Sequence, residues 1–301
     1  MAISRSKPDP NLLRRILSWL SILLPARFRA DIPVVPVVRL NGVIGVSSPL
    51  RPGLMLATTA RTLERAFSVR RARAVALVIN SPGGSPSQSH LIFRRIRQLA
   101  EEKNIPVLAF IEDVGASGGY MLACAADEII CDNYSIIGSI GVVGGSFGFP
   151  KLMEKLGIER RIYTSGDRKV MLDPFQDENP DDVKRIKAVQ KDIHAHFIKL
   201  VKDRRGARLK GTDKILFSGE FWTADKAIEL GLADHHGEIR SALRERYGDK
   251  VRTPLIAEAR NFLGRKIPGI GLSEMLGKNS GLADDLIAAL ETRAIWSRYG
   301  F

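Results

Sequence analysis

The sequence predicts an α/β protein built on a parallel sheet with flanking helices. Unbroken apolar runs rich in Val and Ile, such as Ala74 to Ile79 and Val107 to Ile111, have the composition of strands buried on both faces. They alternate with segments of helical periodicity, the pattern that calls for right-handed crossovers between parallel strands. Both runs also lead into glycine-flanked turns, Asn80-Ser81-Pro82-Gly83-Gly84 and Gly115-Ala116-Ser117-Gly118-Gly119.

In chain order, a first strand candidate, Val34 to Leu40, is broken by Pro36 and ended by Asn41-Gly42. Thr58 to Val69 reads as a helix. After the first buried run, a helix from about Ser87 to Lys103 places Leu91, Ile92, Ile96 and Leu99 at helical spacing. Tyr120 to Ala126 is a helix of small residues, and Glu128 to Cys131 and Ile136 to Val143 supply short strands. A helix at Pro150 to Leu156, a strand at Arg160 to Tyr163 and a polar loop, Thr164 to Asn179, precede a long charged helix, Pro180 to Arg204. Thr223 suits the N-cap of a helix Ala224 to Leu230 that Gly231 closes. From Glu238 the pattern weakens until an amphipathic helix near Leu282 to Trp296.

At 301 residues, 45% hydrophobic and 26% charged, the chain has the composition of a globular protein with room for one large or two small domains. Disorder throughout, collagen-like repeats and coiled coil are excluded. Cys124 and Cys131 are too few for a disulfide framework or a structural zinc site, and both read as small core residues. No metal or other cofactor is expected. The net charge of +13 comes without a nucleic-acid motif or a basic-aromatic stripe, so nucleic acid is not expected as a partner. A solvated or lipid-facing surface is the simpler account.

No stretch reaches the roughly 18 apolar residues of a spanning helix. Leu12, Leu13, Ile16, Leu17, Trp19, Leu20, Ile22, Leu23 and Leu24 are interrupted only by Arg14, Arg15, Ser18 and Ser21. At about 100° per residue these four polar residues share one arc of about 120°, the pattern of an interfacial helix. Flanking Arg5, Lys7, Arg27 and Arg29 suit an anionic membrane surface. A core helix or a signal-peptide core are the alternatives, although Arg29 spoils the small-residue cleavage pattern at Ala26 to Ala30.

Ligands of open α/β sheets bind at the carboxyl ends of the strands, where both glycine turns lie. Ser117, leading into a helix, would display its hydroxyl at a helix N-terminus. Gly83-Gly84 would offer backbone N–H groups free of side chains, as an oxyanion hole needs; each motif could also be only a tight turn. A serine nucleophile needs a base. His90, His194 and His196 lie in helical patterns and His235-His236 in a polar turn. Lys169, in Ser165-Gly166-Asp167-Arg168-Lys169, is the other candidate. It could serve only when neutral, which burial promotes, and most lysines are solvated surface charges.

These turns, with Gly138-Ser139-Ile140-Gly141-Val142 and with Trp222-Thr223-Ala224 through Gly231-Leu232-Ala233-Asp234, resemble peptidase family S49, the signal peptide peptidase A and SohB-type serine proteases. The resemblance runs from about Val34 to Ala242, and without an internal repeat it is to the short, single-unit form. It implies a Clp protease/crotonase-like fold with oligomerising helical segments. It further implies Ser117 as nucleophile, Lys169 as general base, the N–H groups of Gly83, Gly84 and Gly118 as oxyanion donors, and Ser165 as a residue that orients the Lys169 amine. Asp167 and Asp173 would favour the charged form of that amine, and Arg168 would oppose it. The implied assembly is a homo-oligomeric ring in which serine and lysine can come from neighbouring protomers. Its implied substrates are hydrophobic, extended peptides such as remnant signal peptides at a bacterial inner membrane. Val142, Val143, Phe147 and Phe149 are candidate groove residues or core. The expected organisation is a membrane-associating segment 1–31, a peptidase domain 32–247 and a C-terminal extension 248–301 with an amphipathic helix. A noncatalytic membrane scaffold and a crotonase-type acyl-CoA enzyme are the competing functions.

Overall fold

A computed structural model of the chain describes residues 32–46, 53–166, 168–257, 289–290 and 292–300; the amphipathic stretch 12–24, Asp167 and residues 282–288 lie outside them. Strands β1 (Val37–Asn41), β2 (Val75–Ser81) and β3 (Val107–Ala116) run parallel, with Val38 opposite Leu77 and Leu77 opposite Ala109. The apolar run of β2 is unbroken because each face meets its own core. Val75, Leu77 and Ile79 pack with Leu63 and Phe67 of helix α1 (Leu56–Phe67) and Ile92 and Ile96 of α2 (Pro86–Lys103). On the other face, Ala76 and Val78 join Phe110 and Leu243.

β3 is longer than its apolar run. Between β2 and β3 the register shifts: Ile79 faces Ile111, but Ser81 faces Gly115. The extra residues of β3 include Glu112 and Asp113, at the protein surface, where their Arg39 and Asn80 contacts tie the three strands. Beyond this bulge β3 changes neighbours. Its first half pairs with β4 (Glu128–Cys131) and its last three residues pair with β5 (Ile136–Gly138). The sheet therefore splits next to Ser117, the residue that follows β3 and caps α3 (Gly118–Ala123).

Helices α4 (Pro150–Leu156), α5 (Pro180–Arg205) and α6 (Asp213–Leu216) lead to β6 (Phe221–Thr223), which pairs antiparallel with β5. α7 (Ala224–Glu229) leads to the edge strand β7 (His235–His236) beside β4, and α8 (Ile239–Tyr247) covers the second face through Leu243. The structure departs from the sequence reading at short elements. The strand expected at Ile136 to Val143 ends at Gly138, because Ser139 takes a left-handed φ of 52°. Arg160 to Tyr163 forms no ladder among the described residues. Its exposed backbone has no neighbouring strand to bond.

One ion pair ties the end of α5 to the sheet. The guanidinium of Arg205, 3% exposed, donates to both carboxylate oxygens of Asp234 at 2.9 Å and to the Gly231 carbonyl at 2.8 Å. Asp234 also accepts the Ile129 N–H at 2.7 Å. Burial pushes the Asp234 carboxyl up, but Arg205 and the Ile129 N–H outweigh it, so its pKa lies below the ordinary value. Cys124 and Cys131 are free and buried, and burial pushes both thiols up to about 12, which leaves neither as a thiolate at neutral pH.

Replacing Asp234 with Ala strands the Arg205 charge, and urea unfolding at pH 7 should show a loss of about 3–5 kcal/mol. Because the folded carboxyl titrates below its unfolded value, the Asp234 contribution is fully present above the unfolded pKa of about 3.9 and disappears as pH falls through the lower folded pKa. The gap between wild type and Asp234→Asn should narrow only over that acid range.

Candidate active site

Ser117 has φ 50° and ψ −121°, a conformation that costs a non-glycine residue about 1–3 kcal/mol and persists only where its surroundings impose it. Three contacts impose it here. The Ser117 N–H donates to the Gly138 carbonyl at 2.8 Å, extending the β3–β5 pairing. Its carbonyl accepts the Met121 N–H at 3.0 Å and so starts α3, whose six residues are all buried. Gly83 supplies the third. A Cβ on Gly83, which has φ 98°, would lie 2.7 Å from both Ser117 Cβ and Gly118 N. Only a glycine lets the first turn press against the residue that ends β3, and the half-buried Ser117 side chain projects from that contact.

The first turn is held in its own right. The Gly83 carbonyl accepts the Ile44 N–H at 2.8 Å, and the Ser85 N–H donates to the Ile44 carbonyl at 2.8 Å. This brackets Gly84 so that its N–H points away from Ile44. A Cβ on Gly84 would lie 2.1 Å from the Ile44 oxygen. Among the described residues the N–H groups of Gly84 and Gly118 donate to no protein acceptor, and that of Gly83 makes only a 3.3 Å bond to Ser81 Oγ. The structure thus brings Ser117, Gly118, Gly83 and Gly84 into one cluster. A hydroxyl beside backbone donors that are not otherwise spent can attack a carbonyl carbon while its oxygen is polarised.

Lys169 and Ser165 are not part of this cluster within one chain. Both are exposed, on the loop after α4, and neither makes a hydrogen bond to Ser117; the Lys169 N–H closes a turn onto the Gly166 carbonyl at 3.1 Å. Asp173, which the sequence places beside the amine, is committed elsewhere: it pairs with Arg160 and accepts the Phe175 N–H at 3.1 Å. Burial pushes its carboxyl up, and the Phe175 N–H and Arg160 more than reverse that, leaving its pKa lowered. The loop borders an open groove of about 1150 Å³ whose lining mixes apolar Phe147, Met171 and Ile186 with charged Arg168, Glu178 and Lys187. Of the groove candidates, Val143, Phe147 and Phe149 are exposed rather than core, and Phe147 lines this groove.

Four of the five histidines make other contacts. His194 bonds the Ile140 carbonyl at 2.9 Å, His236 bonds Asp225 at 2.7 Å, and His235 lies 3.5 Å from Glu128. His90 stacks on Phe93, and its pKa is lowered by burial and by Arg94 and His196. No histidine bonds Ser117 among the described residues. Tyr299 is a residue of the cluster's surroundings that the sequence motifs do not point to. It packs on Val114, Ala116 and Ile136, with Oη near the Pro82 carbonyl and Ser139 Oγ. Its only sequence signal is an aromatic at the end of an amphipathic stretch.

The chain is 54% identical over 296 residues to a Brucella abortus protein named Na(+)/H(+) antiporter NhaA, a match that covers 97% of this chain but 39% of that protein. It is 33% identical over 216 residues to the chloroplastic serine protease SPPA of Arabidopsis thaliana, covering 69% of this chain and 31% of that one. The chain therefore spans about two fifths or less of the length of these relatives. Among the described residues no helix is long and apolar enough to cross a membrane. A solved structure of the 1510-N membrane-bound stomatin-specific protease aligns with a TM-score of 0.45 at 16% identity, over 75% of this chain and 95% of that one. Residues 99–251, just over half of the chain and including Ser117, Gly118, Ser165 and Lys169, match the model of Peptidase family S49, and the chain belongs to that family.

Proposed function

We propose that the protein is a serine endopeptidase in which Ser117 is the nucleophile and Lys169 the general base. The observation that carries this reading is the strained Ser117 backbone at the head of α3, pressed against Gly83 and flanked by the uncommitted N–H groups of Gly84 and Gly118. Neutral Lys169 Nζ takes the hydroxyl proton as Ser117 Oγ bonds to the peptide carbonyl carbon. The oxyanion is received by N–H groups of Gly83, Gly84 and Gly118. When the tetrahedral intermediate collapses, the C–N bond breaks and the lysine returns the proton to the departing amine. Water, deprotonated by the same amine, then releases the acyl group. A crotonase-type thioester reaction would need the donors but not a strained serine.

The exposure of Lys169 supports a shared site. A general-base lysine must lend a neutral amine, and burial against another surface favours that form. The same excursion carries Phe147, Leu152, Leu156, Ile158 and Tyr163 as exposed apolar groups, an area suited to burial by a second copy. Lys169 of one protomer would then serve Ser117 of its neighbour, with Ser165 orienting the amine, in a homo-oligomer built from the 32–247 unit. The substrates we propose are extended, hydrophobic peptides such as remnant signal peptides, as the resemblance to the family implies, and the 12–24 stretch would hold the assembly at a membrane surface.

Ser117→Ala and Lys169→Ala should each lower hydrolysis of a hydrophobic fluorogenic peptide by several orders of magnitude. Mixing the two inactive variants after dissociation and reassembly should restore part of the activity, whereas a dyad within one chain would give none. Gly83→Ala keeps the N–H but sets a Cβ against Ser117 Cβ and Gly118 N, so the displaced turn should lower kcat by about a hundredfold, the scale of one misaligned oxyanion donor. Flotation with anionic liposomes should retain the full chain and release a chain lacking residues 1–31; equal binding by both would remove the anchoring role.

A further inference from the structure

Tyr299 is 9% exposed, and its ring meets Phe221 edge-on at 5.2 Å between centroids. Its Oη stands 3.4 Å from the Pro82 carbonyl oxygen and 3.3 Å from Ser139 Oγ. A phenol donates one hydrogen and accepts another. Both contacts are therefore satisfied together when Tyr299 O–H donates to Pro82 and Ser139 O–H donates to Tyr299. The two partners sit on the two segments that bracket Ser117. Pro82 precedes Gly83, and Ser139 follows Gly138, whose carbonyl receives the Ser117 N–H.

The consequence falls on one peptide plane. In a trans peptide the C=O and N–H point in opposite directions, so whatever holds the Pro82 carbonyl also aims the Gly83 N–H. A plane between Pro and a glycine turns over at little cost, because glycine accepts either sign of φ. Neighbouring planes are pinned by short bonds: the Gly83 carbonyl to the Ile44 N–H at 2.8 Å, and the Ser139 N–H to the Glu220 carbonyl at 2.7 Å. The Gly83 N–H has only its 3.3 Å contact with Ser81 Oγ. On the Pro82 side the same plane meets the hydroxyl of Tyr299 at 3.4 Å, so it is held by one long contact at each end.

We propose that Tyr299 is a positioning residue for the oxyanion site. Its hydroxyl biases the orientation of the Pro82–Gly83 peptide and, through Ser139, connects that turn to the strand on the other side of Ser117. This assignment rests on the reading of Ser117 as nucleophile. It makes the helical turn that carries Tyr299 a part of the working site. Because aligned donors gain most when the carbonyl oxygen becomes an oxyanion, the hydroxyl acts on kcat and on the affinity for tetrahedral mimics, and hardly on KM.

The test compares wild type, Tyr299→Phe and Ser117→Ala as full chains. Three quantities are read: kinetics on a hydrophobic fluorogenic peptide, affinity for a peptide boronic acid, and hydrogen exchange of the segment spanning residues 82–84. Tyr299→Phe should lower kcat about tenfold, the worth of one hydrogen bond, with KM nearly unchanged. Boronate affinity should fall in proportion and exchange at 82–84 should quicken, at an unchanged melting temperature. Wild-type kcat and exchange in Tyr299→Phe would overturn the proposal, as would a rise in activity or a loss that follows a lowered melting temperature without faster exchange. If Ser117→Ala keeps full activity, the nucleophile reading fails; faster exchange at 82–84 in Tyr299→Phe would still support the clamp, and unchanged exchange would end it.

Discussion

The contact between Gly83 and the Ser117–Gly118 backbone is the constraint on which the rest of the site depends. It joins the exits of β2 and β3 at a distance that no side chain larger than hydrogen permits, and it holds Ser117 in a backbone conformation that the residue would otherwise leave. The fold is arranged to make that contact possible. The register shift between Ile79 and Ser81 lets β3 run on past its buried half, and the change of neighbour from β4 to β5 opens the sheet where the hydroxyl emerges. The wholly buried α3 then anchors the serine from the other side.

The long elements were legible in the sequence because burial writes itself into periodicity. β2 reads as an unbroken apolar run since two separate cores meet its two faces, and α2 declares itself by the helical spacing of Ile92, Ile96 and Leu99. Elements held by tertiary contact alone were not legible. β7 is two exposed histidines whose strand character comes only from pairing with β4. α8 buries a single leucine, too few positions to mark a face. β5 ends early because Ser139 adopts a left-handed backbone, which no propensity announces.

The candidate site divides the same way. Ser117 and the Gly83-Gly84 turn stand out in the sequence as candidates because two glycine-flanked turns follow successive buried strands, although each alone reads equally as a tight turn. The electrostatics of Lys169 do not, because they depend on what surrounds it in space. Asp173 lies four positions away in sequence yet spends its charge on Arg160 and its hydrogen bond on Phe175. Tyr299 was invisible for a similar reason: its partner Pro82 is 217 positions away.

The central claim is that the hydroxyl on this glycine-lined elbow is the attacking atom. Incubation of the assembled protein with a peptide fluorophosphonate, followed by mass spectrometry of proteolytic fragments, tests it directly. The account expects one stoichiometric adduct, on the fragment that carries Ser117. Modification of a different residue, or continued peptide hydrolysis by a protein fully labelled at Ser117, would contradict it.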